Sequence, residues 1–173
     1  MKKKISNFYF LGAGRPHFGE KHSSLLSVNK SSKVIDWTLH AIRDLDSKIY
    51  FVCGYKANDI KISHPNLNYI DNEDWEDTKA GWSLLTALPQ NPQNAVVSYS
   101  DIVFNETVLN KICKLDQDII VTIDSKWRSR YSGRDTQDLQ KCEKVFFSED
   151  KINLLGSHID PETANAEFIG LVY

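Results

Sequence analysis

Apolar residues occur in short β-branched or aromatic runs, and polar segments with a helical spacing of apolar residues separate these runs. Runs of this length, bounded by Gly, Pro or Asn, are typical of buried strands. The predicted strands cover residues 5–11, 48–53, 67–70, 95–100, 119–123, 144–147, 152–155 and 168–173. Because strands and helices alternate, we expect an α/β fold with a mainly parallel, Rossmann-like sheet and helices on both faces.

Four helices are predicted from capping residues and apolar spacing. The first follows Ser31 or Ser32, the second covers residues 56–62, the third begins at the cap Thr78 and ends at Leu88, and the fourth covers residues 105–115. The polar segment 127–141 is predicted to be a loop. The apolar positions expected to face the sheet are Ile35, Leu39, Ile42, Leu84, Leu85 and Leu88.

Composition restricts the function classes. With 173 residues, 41% hydrophobic and 25% charged, we expect one globular domain over residues 1–173. Lys and Arg number 21 against 23 Asp and Glu, and this balance argues against nucleic acid or an anionic membrane as a partner. Three distant cysteines without a CxxC pair argue against a disulfide framework or zinc site and favour the cytoplasm. Because the last residues form an apolar run, we expect the N-terminal part of a longer polypeptide, with a further domain or a homo-oligomer completing it.

Polar residues follow several predicted strands, at the sheet edge where open parallel sheets bind ligands. They include the Gly-rich segment 12–15, Asp101 and Asp124. The Gly-rich segment lacks the third glycine of a dinucleotide fingerprint and does not match a P-loop. Two interpretations remain: a tight turn, or a turn that presents backbone N–H groups to a triphosphate with Arg15 and Lys21 as counter-charges.

Seven segments, taken in order, resemble the nucleoside-triphosphate transferases, and within them the phosphocholine-cytidylyltransferase-like and sugar-phosphate nucleotidyltransferase branch. The segments are LGAG at 11–14, LLSV at 25–28, VIDW at 34–37, FVCGY at 51–55, N..W..T....SLL at 72–85, SYSD at 98–101 and EFIGL at 167–171. The resemblance spans nearly the whole chain, and its specificity rests on the ordered set.

This resemblance implies a GT-A-like sheet and a Mg²⁺-dependent transfer of a nucleotidyl group, with CTP favoured. The acceptor would be a small phosphorylated molecule such as phosphocholine, a phosphonate or a sugar phosphate, and pyrophosphate would be released. Asp101, at the family's metal-binding position, is expected to hold Mg²⁺, which prefers carboxylate and phosphate oxygens. The expected nucleotide contacts are Leu11, Gly12, Ala13, Gly14 and Ser83.

The chain departs from the family pattern at two points. Ser23 stands where the family has a lysine, so Arg15 and Lys21 are the expected catalytic substitutes, and no second metal-binding carboxylate follows Glu167. These departures keep open a degenerate nucleotide-binding regulatory domain without turnover. A GT-A glycosyltransferase ranks last, because the residues after Asp101 lack the second aspartate of a DxD motif.

Three further features leave two interpretations each. The basic, aromatic segment 127–134 would clamp an acceptor phosphate or form a solvated loop. Asp124 would assist the metal or cap a strand end. Trp75 and Trp82 would stack on a cationic head group or pack in the core.

Overall fold

A computed structural model describes residues 3–16, 19–88 and 94–173. The chain forms two compact units, one reaching to Ile120 and including Val172–Tyr173, and the other comprising Val121–Leu171. Strands and helices alternate in the first unit, which confirms the predicted α/β class. In the described part of the chain, no helix is long and apolar enough to cross a membrane.

The first unit contains a parallel sheet. Its strands are β1 (Asn7–Gly12), β2 (Lys48–Cys53), β3 (Asn68–Asp71) and β4 (Ala95–Tyr99). They lie in the order β3-β2-β1-β4, and each neighbouring pair is parallel. Leu11 pairs with both Val52 and Tyr99, so β1, β2 and β4 end at the same level. This register brings the segments after these strands together at one edge.

Helices cover both faces of this sheet, as predicted. They are α1 (Val34–Ala41), α2 (Ala57–Ser63), α3 (Ala80–Ala87) and α4 (Glu106–Ile112). On one face Tyr9 and Val52 pack with Ala87 of α3. On the opposite face Phe51 contacts Tyr69, whose hydroxyl donates to a backbone carbonyl at the end of α2, His64 O at 2.6 Å. Side chains of successive strand residues point to opposite faces, so the aromatic runs supply two apolar layers.

The predicted caps of α1 and α3 are wrong. Lys33 is the N-cap of α1, and its N–H donates to the Asp36 carboxylate at 2.7 Å, while Ser32 accepts a bond from the Trp37 indole. At α3 the N-cap is Lys79. The Thr78 hydroxyl instead donates to the carbonyl of Asp74, within the loop that leads into the helix. At both boundaries the predicted capping side chain is therefore engaged in a different hydrogen bond.

The inward face of α3 also differs from the prediction. Leu85 is 65% exposed, whereas Ser83 and Ala87 are buried. The sheet surface beneath the helix is already filled by large side chains, so small residues allow α3 to approach. The prediction for α4 is confirmed at its start, where the Asn105 side chain accepts from the N–H of Thr107 at 3.1 Å.

The second unit is built on antiparallel pairs. Its strands are β5 (Val121–Asp124), β6 (Lys144–Ser148), β7 (Lys151–Gly156) and β8 (Ala166–Val172). β6 pairs antiparallel with both β7 and β8, and β5 pairs with β8. The strands match the predicted runs closely.

The prediction of a loop over residues 127–141 is wrong. A 3₁₀ helix covers Trp127–Tyr131 and α5 covers Thr136–Lys141. Trp127 is 1% exposed and packs with Ile159 and Ala164. No residue of α5 is buried, so the helix has no apolar stripe that a sequence pattern would reveal.

Candidate functional site

The Gly-rich turn after β1 is fixed through its backbone carbonyls. Three consecutive carbonyls accept a hydrogen bond, and their donors come from three different segments of the first unit. The bonds are Ser100 N–H to Leu11 O (3.2 Å), His22 Nε2 to Gly12 O (2.8 Å) and Tyr55 N–H to Ala13 O (2.8 Å). In a trans peptide the N–H points opposite to the preceding carbonyl, so these bonds also set the direction of the Ala13 and Gly14 amides.

The glycines of the turn have different roles. A Cβ added to Gly12 would lie 2.4 Å from the Phe51 ring and 2.8 Å from the Ser100 hydroxyl, so Gly12 is required for close packing. A Cβ added to Gly14 would meet no described atom within 4 Å, and Gly14 is exposed. Space is therefore available beside Gly14, where an anion would approach the amide.

His22 is a site residue that the sequence analysis did not identify. It is 2% exposed and lies against the Phe51 ring, with ring centroids 5.8 Å apart. Its Nδ1 accepts from the backbone N–H of Ser24 at 3.3 Å and contacts the Ser24 hydroxyl at 2.8 Å. Nδ1 is therefore unprotonated, and Nε2 carries the proton that it donates to Gly12 O. The only signal in the sequence is the neighbouring Ser23, which stands where the family that the chain resembles has a lysine.

Burial is the largest influence on the pKa of His22 and lowers it, whereas the bond to Gly12 and the charges of Asp101 and Asp59 act to raise it. Burial dominates because the protonated ring loses its hydration. His22 is therefore neutral at physiological pH, in agreement with the hydrogen bonds it forms.

Asp101 lies at the end of β4, next to the turn. It follows Ser100, whose hydroxyl packs against Gly12, and its carboxylate is close enough to influence the pKa of His22. Asp101 is exposed. The structure thus brings Asp101 and the turn 12–14 together at the carboxyl edge of the sheet, as the strand pattern predicted.

The described residues contain no cluster of three or more His, Cys, Asp and Glu that would hold a metal ion by themselves. Mg²⁺ commonly binds through one or two carboxylates together with substrate phosphates and water. A single exposed carboxylate beside the turn 12–14 would fit that pattern if the turn bound phosphates, and Asp101 is the residue that would supply it.

Arg15 is occupied by neighbouring side chains. Its guanidinium lies 3.3 Å from the Glu76 carboxylate and 5.4 Å from the ring centroids of both Tyr55 and Trp75. Lys21 is exposed. Lys21 is therefore accessible to solvent, whereas Arg15 would have to leave Glu76 to reach a phosphate, and such exposed pairs contribute little stability.

Ser83 lies in a buried polar network. Its hydroxyl accepts from the Asn72 side chain at 3.1 Å, and the same amide group donates to Thr78 at 3.2 Å. Asn72 and Ser83 are 2% and 4% exposed. This network joins the loop after β3 to α3 and explains why Asn, Thr and Ser occur together in the segment 72–85. The role of Ser83 in nucleotide contact stays a prediction.

The two tryptophans of this region differ. Trp75 packs against Tyr55, with ring centroids 5.6 Å apart, and its Cβ lies next to Gly54. Trp82 is 51% exposed on α3. Packing therefore accounts for Trp75, and a ligand-stacking role of Trp82 stays a prediction.

Within the second unit, the basic segment 127–134 is tied to acidic side chains and carbonyls. Arg130 bonds Asp124 at 3.0 Å through Nε and Glu167 through Nη2. The Tyr131 hydroxyl donates to the other oxygen of Glu167 at 2.5 Å. Burial of Tyr131, together with this bond, raises the pKa of its phenol well above the ordinary range. These contacts favour a structural role for the segment over a free phosphate clamp.

Comparisons with known proteins agree with the resemblance seen in the sequence, although no family model matches the chain. A CTP:phosphoglutamine cytidylyltransferase of Campylobacter jejuni is 22% identical over 153 residues, which cover 82% of this chain and 60% of the relative. The chain thus spans about 60% of the length of the curated relative it matches.

Solved structures show the same fold at low sequence identity. The inositol-1-phosphate CTP transferase from T. maritima matches with a TM-score of 0.73 and 14% identity, over 99% of this chain and 71% of that one. The CTP:phosphocholine cytidylyltransferase from Streptococcus pneumoniae matches with a TM-score of 0.59 and 13% identity, over 97% and 70% of the two chains. The chain therefore has the Rossmann-like fold of the nucleotidyltransferases, and the resemblance to them is confirmed.

Proposed function

We propose that this chain is a nucleotidyltransferase that moves a nucleotidyl group, with CTP favoured, from a nucleoside triphosphate to a small phosphorylated acceptor. The observation that carries the proposal is the anchored turn 12–14 beside Asp101 at the carboxyl edge of a parallel sheet. This arrangement offers backbone N–H groups and one carboxylate to a triphosphate. The similarity to three CTP-using transferases supports cytidine as the base.

The reaction requires mainly positioning and compensation of charge. An oxygen of the acceptor's phosphate attacks the α-phosphorus and forms the new P–O bond. The bond from the α-phosphorus to the bridging oxygen breaks, and pyrophosphate leaves with that electron pair. Groups aimed at the charge that develops on the phosphates stabilise the transition state.

The residues of the first unit have distinct roles in this proposal. The Ala13 and Gly14 amides would bind the phosphates, and Lys21 would offset their charge. Arg15 would join them after exchanging Glu76 for a phosphate, a bidentate contact for which guanidinium is suited. Asp101 would hold Mg²⁺, which when bound supplies further charge neutralisation at the phosphates.

The class of acceptor is proposed from the relatives, which are named for phosphoglutamine, inositol-1-phosphate and phosphocholine. All three carry a phosphate monoester or a similar phosphate group, so a small phosphorylated molecule is the common feature. The cytoplasm is the proposed compartment, which the three free cysteines favour. We also propose that the fold is of the GT-A subtype.

A second candidate function is nucleotide binding without turnover. The pairing of Arg15 with Glu76 favours it, because this pair removes a cation from the turn at the point where Ser23 replaces the family lysine. Under this alternative the turn 12–14 would bind a nucleotide, but no acceptor would be consumed.

The test is pyrophosphate release with each nucleoside triphosphate and Mg²⁺, measured against a panel of phosphocholine, aminoethylphosphonate and sugar phosphates. We expect release that requires an acceptor and is fastest with CTP. Binding of a nucleotide by calorimetry without pyrophosphate release in the full-length protein would favour the second candidate. If the protein neither binds a nucleotide nor releases pyrophosphate, both candidates are contradicted.

A further inference from the structure

We propose that His22 is a positioning residue that holds the phosphate-facing turn 12–14 in its binding conformation through the carbonyl of Gly12. This inference rests on the proposed function, because it assigns the turn to nucleotide phosphates. It goes beyond that function by naming a residue outside the motif that controls the geometry of the turn.

The hydrogen-bond pattern fixes one form of the ring. The Ser24 N–H donates to Nδ1, so only Nε2 can carry the proton, and it lies 2.8 Å from Gly12 O. With two bonds of opposite polarity, the ring joins the segment that begins the 3₁₀ helix Ser23–Leu25 to the end of β1. The other tautomer would leave a buried N–H facing the Ser24 amide, an unfavourable arrangement.

The hydrogen bond from His22 to Gly12 O helps to fix the direction of the amides in the turn. Gly12 O would otherwise be a buried acceptor at the last residue of β1, and the peptide that contains it also contains the Ala13 N–H. The next carbonyl, Ala13 O, is held by the Tyr55 amide at 2.8 Å. Because both carbonyls are bound, the N–H groups of Ala13 and Gly14 point in fixed directions.

Packing holds the ring in place. His22 is 2% exposed and contacts the Phe51 ring, which also limits Gly12 to glycine. Burial lowers the pKa of His22, which favours the neutral form that both hydrogen bonds require. The ring is thus a rigid strut between β1, β2 and the 3₁₀ helix.

Three variants of the whole chain test the proposal. His22→Leu has a similar size but neither a donor nor an acceptor, whereas His22→Gln keeps an N–H at a similar reach. His40→Leu, an exposed histidine of α1, is the matched control. The nucleotide probe is CTP with Mg²⁺, measured by calorimetry.

We expect His22→Leu to weaken CTP binding about tenfold, the usual effect of losing one buried hydrogen bond. His22→Gln should restore affinity to within about threefold of the wild type, and His40→Leu should leave it unchanged. Equal CTP affinity of the wild type and His22→Leu would overturn the proposal. A ¹⁵N spectrum with the proton on Nδ1 of His22 would also overturn it.

Amide hydrogen exchange separates this proposal from the proposed function, because it needs no nucleotide. The Tyr55 amide, which bonds Ala13 O, should exchange about tenfold faster in His22→Leu and return toward the wild-type rate in His22→Gln. The Tyr9 amide, within β1, should not change. If the wild type binds no nucleotide but Tyr55 responds in this way, the proposed function fails while the positioning role stands. An unchanged Tyr55 rate would overturn the positioning role.

Discussion

The two units of the chain use their polar side chains in opposite ways. At the strand ends of the first unit, backbone carbonyls are bound while Asp101, Lys21 and the space beside Gly14 are open. In the second unit, Arg128 and Arg130 of the segment 127–134 are tied to carbonyls and carboxylates. A basic, aromatic segment is therefore no sign of a site by itself. Polar groups that are held in position but are still accessible to a ligand indicate a binding site more reliably.

The strongest test of this difference replaces a carboxylate at each end of the parallel strands. Asp101→Asn should lower the rate of pyrophosphate release at least about 100-fold, because it removes the carboxylate charge that would hold Mg²⁺ beside the phosphates. The control is Asp46→Asn, at the amino end of β2, whose side chain is 93% exposed in an ion pair with Lys4. Its rate should stay within about twofold. Equal losses in both variants would show that the carboxyl edge is not the site.

The two glycines of the turn give a matched pair for stability. Gly12→Ala places a Cβ 2.4 Å from the Phe51 ring and should lower the free energy of unfolding by about 1–3 kcal/mol. Gly14→Ala meets no described atom within 4 Å and should change it by less than about 0.5 kcal/mol. Urea unfolding measures both, and similar values for the two variants would contradict the described packing of Gly12.

Glu167→Gln tests the structural interpretation of the second unit. The Glu167 side chain is 12% exposed and accepts from both Arg130 and Tyr131, so its neutral replacement should cost about 1–2 kcal/mol of stability. The KM for the acceptor should not change. A raised KM at unchanged stability would instead restore the phosphate-clamp interpretation of the segment 127–134.

The smallest expected effect is a pH dependence of stability from His22. Burial lowers its pKa in the folded state, against the opposing influence of the Gly12 bond and of Asp101 and Asp59. The unfolded chain therefore binds the proton more readily. The stability contribution is complete above pH 6.5 and is lost as the pH falls from there toward the folded-state pKa.

The measurement is the free energy of urea unfolding at pH 7.5 and 5.5, for the wild type and His22→Gln. The wild type should lose more stability on acidification than the variant. Burial acts to raise the pKa of Asp36, but its hydrogen bonds to His64 and Lys33 outweigh burial and lower the pKa. Asp36 therefore titrates in a more acidic range, and its contribution to stability is the same in both proteins. Equal losses would contradict the neutral, buried ring.

The sequence predicted the frame of the fold because strand ends are marked by local chemistry. Runs of β-branched and aromatic residues end at Gly12, Gly54 and Asp101, and the structure brings the segments at these positions to one edge. The convergence of Asp101 and the Gly-rich turn could therefore be predicted without coordinates.

The errors arose where tertiary contacts decide. Thr78 has the chemistry of a cap, but its hydroxyl serves the Asn72 network. Leu85 fits a helical stripe, yet it is 65% exposed, and Ala87 and Leu88 pack against Tyr9 and Val52 of the sheet instead. His22 stands in a polar segment without periodicity, so nothing in the sequence indicates that the ring is buried or that it reaches Gly12 O.

The most direct test of the central claim is the identity of the product. CTP, Mg²⁺ and phosphocholine or another acceptor from the panel would be incubated with the chain and followed by ³¹P NMR and mass spectrometry. The account predicts a cytidine diphosphate diester of the acceptor and pyrophosphate in equal amounts. Formation of CMP with no acceptor adduct, or binding of CTP with no new phosphorus signal for any acceptor, would contradict it.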